Sequence, residues 1–187
     1  KIHGIVGNNG SGKTVLMKCI CGFLIPTEGE VIVNGKRVGK DVDFPPGLGL
    51  IIETPGFLPN MTGVKNLEIL ASLNKKIGLR EIAASMRAVS LDPSMNKPVG
   101  KYSLGMRQRL GIAQAIMENP SLLILDEPLN GLDKHGVREM RQLIKGLKEQ
   151  GKTILLASHN QGDIDELCDT VCEMDAGVMT MIREESI

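Results

Sequence analysis

Eight consecutive residues, Gly7-Asn8-Asn9-Gly10-Ser11-Gly12-Lys13-Thr14, satisfy the spacing Gly-x-x-x-x-Gly-Lys-Ser/Thr at every position. The chemistry such a run supports is phosphate binding. Its glycines let consecutive backbone N–H groups close on an anion, its lysine reaches the β- and γ-phosphates as a point charge, and its threonine hydroxyl is a Mg²⁺ ligand. Three more positions bear groups suited to phosphoryl transfer. Glu53 follows the apolar run Leu48-Gly49-Leu50-Ile51-Ile52, Asp126-Glu127 close the run Ser121-Leu122-Leu123-Ile124-Leu125, and Ser158-His159 close residues 153–157. Of two adjacent carboxylates at a strand end, one can hold the hydration shell of Mg²⁺ while the other orients and deprotonates an attacking water. A neutral imidazole at the same sheet edge can hydrogen-bond a γ-phosphate.

These groups need a scaffold that delivers them to one edge. Open α/β sheets do so at the carboxyl ends of parallel strands, and the runs ahead of Glu53, Asp126 and His159 have the continuous apolar character of strands buried on both faces. Residues 1–6 read as the strand before the glycine-rich turn, and residues 14–20 as the helix after it. Asn34-Gly35 between residues 30–33 and 36–38 predicts a two-residue hairpin. A second hairpin is expected for residues 171–174 and 178–182 around Asp175-Ala176-Gly177. Between Glu53 and Pro120 the patterns are helical, over residues 64–73, over 80–89, and from an N-cap at Ser103 through Met106, Leu110, Ala113 and Met117. A helix carrying Val137, Met140, Leu143, Ile144 and Leu147 is expected to stop at Gly151, and a short one is expected over residues 163–169. The fold class is therefore α/β: a P-loop NTPase core with a mainly parallel sheet, a partial antiparallel β subdomain and an inserted helical subdomain. Residues 1–53 and 120–187 make the core and residues 54–119 the insertion.

Composition narrows the partners. Twenty-two basic and twenty-two acidic residues cancel, and one Tyr, three Phe and no Trp leave few platforms for stacking bases, which argues against nucleic acid. Cys19, Cys21, Cys168 and Cys172 lack a second ligand pair at zinc spacing and read as reduced thiols of a cytoplasmic chain. No run approaches the roughly 18 apolar residues of a membrane span.

Taken together, the phosphate loop, Glu53, the helix capped by Ser103, Asp126-Glu127, Asp133 and His159 occur in an order that resembles the nucleotide-binding domain of ATP-binding cassette (ABC) transporters over essentially the whole chain. Tyr102-Ser103-Leu104-Gly105-Met106 stands where that family usually has Leu-Ser-Gly-Gly-Gln, and Arg107-Gln108-Arg109-Leu110 continues it in the family manner. Ser103 and Gly105 match; Tyr102, Leu104 and Met106 depart. The resemblance implies Glu127 as catalytic base, Asp126 as the Mg²⁺-associated acid, Asp133 as the D-loop acid and His159 as the switch histidine. Glu53 stands for the usual Gln, adding negative charge beside the metal. It further implies ATP and Mg²⁺ as cofactors and hydrolysis at a dimer interface, homo- or heterodimeric, where Ser103 and Gly105 serve the partner's nucleotide. The domain is then expected to be a cytoplasmic one, peripheral on the inner membrane face, working through a separate transmembrane subunit. The Ile-Glu-Thr-Pro-Gly and Tyr-Ser-Leu-Gly-Met spellings are most similar to cassettes of the bacitracin and lantibiotic resistance type. The family normally carries an antiparallel strand pair with an adenine-stacking aromatic ahead of the phosphate loop. No aromatic precedes Gly7, so weak and similar affinities for ATP and GTP are expected.

The alternative reading is a non-transport ABC-type ATPase acting on nucleic acid or ribosomes. A chromosome-associated ATPase interrupts this core with long coiled coils, and a ribosome-associated one carries two cassettes with basic linkers. Neither feature is present. A small-molecule kinase with the same phosphate loop leaves the Ser103 helix and Asp133 unexplained.

Overall fold

The computed structural model describes residues 1–184. Strand β1 (Ile2–Val6) leads through the glycine-rich turn into helix α1 (Lys13–Cys21), then a two-stranded hairpin, β2 (Ile32–Val33) and β3 (Lys36–Arg37), and strand β4 (Leu48–Ile51). Three helices follow, α2 (Gly63–Asn74), α3 (Leu79–Ala88) and α4 (Leu104–Ile116). The chain returns through β5 (Leu122–Asp126), α5 (Lys134–Glu149), β6 (Thr153–Ala157), α6 (Gln161–Leu167), β7 (Thr170–Asp175) and β8 (Val178–Arg183).

The main sheet has the order β4-β5-β6-β1-β7-β8. Its first five strands are parallel and β8 is antiparallel to β7. Alternation along the strands divides the apolar residues between two faces. Ile2, Leu123, Leu125, Ile154 and Leu156 pack with residues of α2 to α6, while Ile5, Ile124 and Ala157 pack with Met17 and Cys21 of α1. Helices thus cover both faces, which is why β4, β5 and β6 are apolar almost from end to end. α1 ends on Gly22 in a left-handed cap. The long amphipathic α5 is capped by Asp133, whose carboxylate accepts from the Gly136 N–H at 2.9 Å, and it ends at Glu149, two residues before Gly151, whose φ is 83°.

The expected elements are present, with three local differences. The β2–β3 ladder is two residues per strand; Asn34 and Gly35 both take positive φ, as the tight turn requires, but only one further bond, Val38 N–H to the Val31 carbonyl, extends it. The short helix expected over residues 163–169 starts earlier, at Gln161, because the Asn160 side chain accepts from the Gly162 N–H at 2.9 Å. It stops at Leu167 so that Asp169 can accept from the Ile2 N–H at 2.8 Å. Strand β4 ends at Ile51, and Glu53 lies past it with φ at 59°.

Candidate functional site

The phosphate loop is held from below by the β7–β8 turn. The Gly177 N–H donates to the Ser11 carbonyl at 2.9 Å, and a Cβ on Gly7, where φ is 145°, would overlap the Met174 carbonyl oxygen and lie 2.9 Å from Ser11 Oγ. Glycine at position 7 is thus demanded by both conformation and space. Gly12, with φ at 113°, is the N-cap of α1, and a Cβ there would lie 3.2 Å from Met174 Sδ. Lys13 is 8% exposed and turns its ammonium back onto the loop, donating to the Gly7 and Asn8 carbonyls at 2.7 and 2.9 Å. Ser11 Oγ is buried without a hydrogen-bond partner among the described residues. An unpaired buried hydroxyl is costly, and it fits a loop whose remaining partner is an anion's oxygen.

Across the cleft, β5 brings Asp126 and Glu127 to the carboxyl edge. Asp126 pairs in register with Ala157, and the Glu127 N–H extends the ladder by donating to the Ala157 carbonyl at 2.9 Å. The Thr14 hydroxyl donates to Asp126 Oδ2 at 3.1 Å. Burial pushes the Asp126 carboxyl above its ordinary pKa; the Thr14 bond opposes this and the Glu127 charge adds to it. Glu127 Oε1 accepts from the His159 N–H at 2.9 Å and lies 2.8 Å from the ring Nδ1. Asn9, Gly10, Gly12, Lys13, Thr14, Val15, Asp126 and Glu127 line one cleft of about 290 Å³.

These residues suit a nucleoside triphosphate with its metal. Thr14 Oγ1 and Asp126 Oδ2 are hard oxygen donors side by side, and a divalent cation would offset the cost of ionising the buried Asp126. Among the described residues there is no group of three or more His, Cys, Asp or Glu that could hold a metal alone. An ion here must take further ligands from phosphate and water, as Mg²⁺ does.

Other expected site residues lie elsewhere. Ser103 and Asp133 are exposed and do not line the cleft. Ser103 caps α4 by accepting from the Met106 N–H at 3.1 Å, and Asp133 caps α5. Gly105 packs on the Gly131 carbonyl, which a Cβ would reach at 3.0 Å. Glu53 is paired with Lys18 at 2.7 Å and does not line the cleft either. The structure also brings in residues that sequence spacing did not single out. Gln108 Nε2 donates to the Glu127 and Pro128 carbonyls at 3.1 and 2.9 Å. Behind His159, the Ser158 hydroxyl donates to buried Asp163 at 3.3 Å, and Arg141 donates to the same carboxylate. The only sequence signal for Gln108 was its place in the run that continues the signature; the Arg141–Asp163 pair had none, since it joins two helices.

A family model described as ABC transporter matches residues 1–130. The chain belongs to the ABC transporter family. This cassette is 43% identical over 176 residues to the uncharacterized ABC transporter ATP-binding protein YybJ of Bacillus subtilis (strain 168), covering 94% of this chain and 81% of YybJ. It is 42% identical over 179 residues to the bacitracin transport ATP-binding protein BcrA of Enterococcus faecalis, covering 95% of this chain and 58% of BcrA. Among solved structures, the ATP-binding cassette MJ0796, in a dimeric post-hydrolysis state bound to ADP and Pi, superposes with a TM-score of 0.84 at 22% identity over 98% of this chain and 86% of that one. That likeness establishes the fold. Among the described residues no helix is long and apolar enough to cross a membrane.

Proposed function

We propose that this cassette binds MgATP in the cleft between the phosphate loop and Asp126-Glu127, hydrolyses it at an interface between two cassettes, and thereby drives transport through a separate membrane subunit. The observation that carries the reading is the juxtaposition of Lys13, Thr14, Asp126 and Glu127 around one cleft, with His159 against Glu127.

In this reading Gly7 to Thr14 present backbone N–H groups to the β- and γ-phosphates, and Lys13 exchanges its two loop carbonyls for phosphate oxygens. Thr14 and Asp126 would hold Mg²⁺, which neutralises phosphate charge in the transition state, and Glu53, released from Lys18, is a further candidate ligand. Glu127 accepts the proton of the attacking water, and His159 fixes the carboxylate and reaches toward the γ-phosphate. Among the described residues no aromatic side chain lines the cleft, so adenine itself finds no stacking platform within it.

Exposure of Ser103 and Asp133, away from the chain's own cleft, supports their use in trans. The α4 N-terminus then faces the γ-phosphate of the partner cassette, with Gly105 allowing close approach. MJ0796 is dimeric in the structure cited above, and the same arrangement is proposed here as homo- or heterodimer. Residues 1–53 and 120–187 act as the ATPase core, and residues 54–119 as the subdomain that presents the signature. The identity to BcrA supports assignment to the bacitracin and lantibiotic type, working at the cytoplasmic membrane face, with cargo chosen by the membrane subunit. Ser103→Arg tests the shared site. The expected result is loss of ATPase activity in the assembled pair with nucleotide affinity of the dilute chain unchanged; an equal loss of affinity in the dilute chain contradicts action in trans.

A further inference from the structure

Glu127 adopts φ at 49°, the left-handed region that a non-glycine residue leaves unless its surroundings hold it there. Four contacts fix this peptide. Its N–H donates to Ala157 and its carboxylate accepts from His159, both from β6 and the turn after it. Its carbonyl accepts from the Asn130 N–H at 3.2 Å within the same turn. The fourth contact comes from another element altogether. The Gln108 amide, on the second turn of α4, spreads its N–H groups over the Glu127 and Pro128 carbonyls.

The segment after Glu127 also runs along the start of α4. A Cβ on Gly131 would lie 2.6 Å from the Leu104 side chain, and one on Gly105 would lie 3.0 Å from the Gly131 carbonyl. A displacement of α4 therefore reaches the 127–132 segment at both ends, through packing at Gly131 and through hydrogen bonds at Glu127.

We propose that Gln108 is a positioning residue for hydrolysis: its amide holds the Glu127 backbone in its left-handed conformation and makes the aim of the Glu127 carboxylate depend on where α4 sits. An anion bound at the N-terminus of α4 thereby acts on the base of the same chain. This rests on the reading of Glu127 as the base. Gln108 itself touches neither phosphate nor water in the scheme, and its effect passes only through Glu127.

Gln108→Met keeps length and removes the donors. In the assembled cassette with MgATP, kcat is expected to fall roughly 10- to 100-fold, the scale of an ångström's misplacement, while KM and nucleotide Kd stay within about twofold. In the double variant with Glu127→Gln the residual rate is expected to match that of Glu127→Gln alone, because the group Gln108 positions is already gone. An unchanged kcat, or a loss that multiplies with that of Glu127→Gln, overturns the proposal. Circular dichroism and Tm accompany each variant. Should Gln108→Met not fold, Gln108→Glu, of the same shape but without donors, carries the same comparison. Near wild-type turnover of Glu127→Gln alone instead overturns the base assignment, so the two failures are separable.

Discussion

Gly7→Ala probes the support of the phosphate loop. The added methyl would overlap the Met174 carbonyl oxygen, sit 3.2 Å from its carbon and 2.9 Å from Ser11 Oγ, and force alanine to φ near 145°. Neither neighbour can yield alone, since Met174 lies in β7 and pairs with Met179, and the Ser11 carbonyl holds the Gly177 N–H. Backbone strain at such a φ costs roughly 1–3 kcal/mol. Overpacking against backbone adds about 1–3 kcal/mol. For a chain of this size each 1 kcal/mol moves Tm by about 2–4 °C, so a fall of roughly 5 °C or more is expected. The loop must also shift by about 1 Å, which at a catalytic centre is worth on the order of a hundredfold in rate. Gly146→Ala is the internal control. Gly146 lies inside α5 with nothing within 4 Å of a Cβ, and the exchange should raise stability by up to about 1 kcal/mol through helix propensity alone. Scanning fluorimetry with and without MgATP reads both. Wild-type Tm and nucleotide response in Gly7→Ala would refute the view that the β7–β8 turn fixes the loop.

Two further substitutions separate the ligand-free protein from the loaded one. Ser11→Ala removes the buried hydroxyl that lacks a partner, so it should leave the free protein as stable or up to about 1 kcal/mol more stable. It should also weaken ATP by a similar amount, read by titration; a large loss of stability without nucleotide would show that Ser11 already has a partner. For Asp126 the folded pKa is raised, so between the ordinary carboxylate value and the raised one the folded chain holds a proton that the unfolded chain releases, and ionisation at neutral pH is a net cost to stability. Asp126→Asn should therefore raise Tm in metal-free buffer at neutral pH. The difference from wild type should narrow as pH falls toward the ordinary carboxylate range, and the response to MgATP should be lost. Asp169, whose pKa is lowered by Lys148 and the Ile2 N–H, loses its contribution only below that range, so the two effects separate on the pH axis. A Tm lower than wild type in Asp126→Asn under these conditions counts against the burial argument.

The apolar runs of β4, β5 and β6 made the centre of the sheet legible, because burial on both faces leaves little polar interruption to confuse the pattern. Asn34-Gly35 and Ala176-Gly177 marked hairpins through their positive φ. Asn160 shows where this reasoning falls short: a capping side chain moved the start of α6, and its competition with neighbouring polar residues was not decidable from order alone. At the site, the phosphate loop, Asp126 and Glu127 were legible because spacing along a strand–turn–helix fixes their direction. The supports of Glu127 were not. Gln108 reaches across nearly twenty residues of sequence, and Asp163 reaches Ser158 and Arg141 through packing of α5 on α6. Contacts between elements depend on crossing geometry, which periodicity within each element does not contain. Glu53 lies two residues past the end of β4 rather than on it, and its pairing with Lys18 depends on where α1 lies beside β4.

The most direct test of the account compares wild type with Glu127→Gln for both MgATP binding and hydrolysis. The amide can still accept from the His159 N–H, so the cleft keeps its shape, but it cannot take a proton from water. Nucleotide affinity is expected within about threefold of wild type, with turnover lowered by roughly 10²–10⁴. Turnover near wild type, or a parallel collapse of binding, contradicts the account.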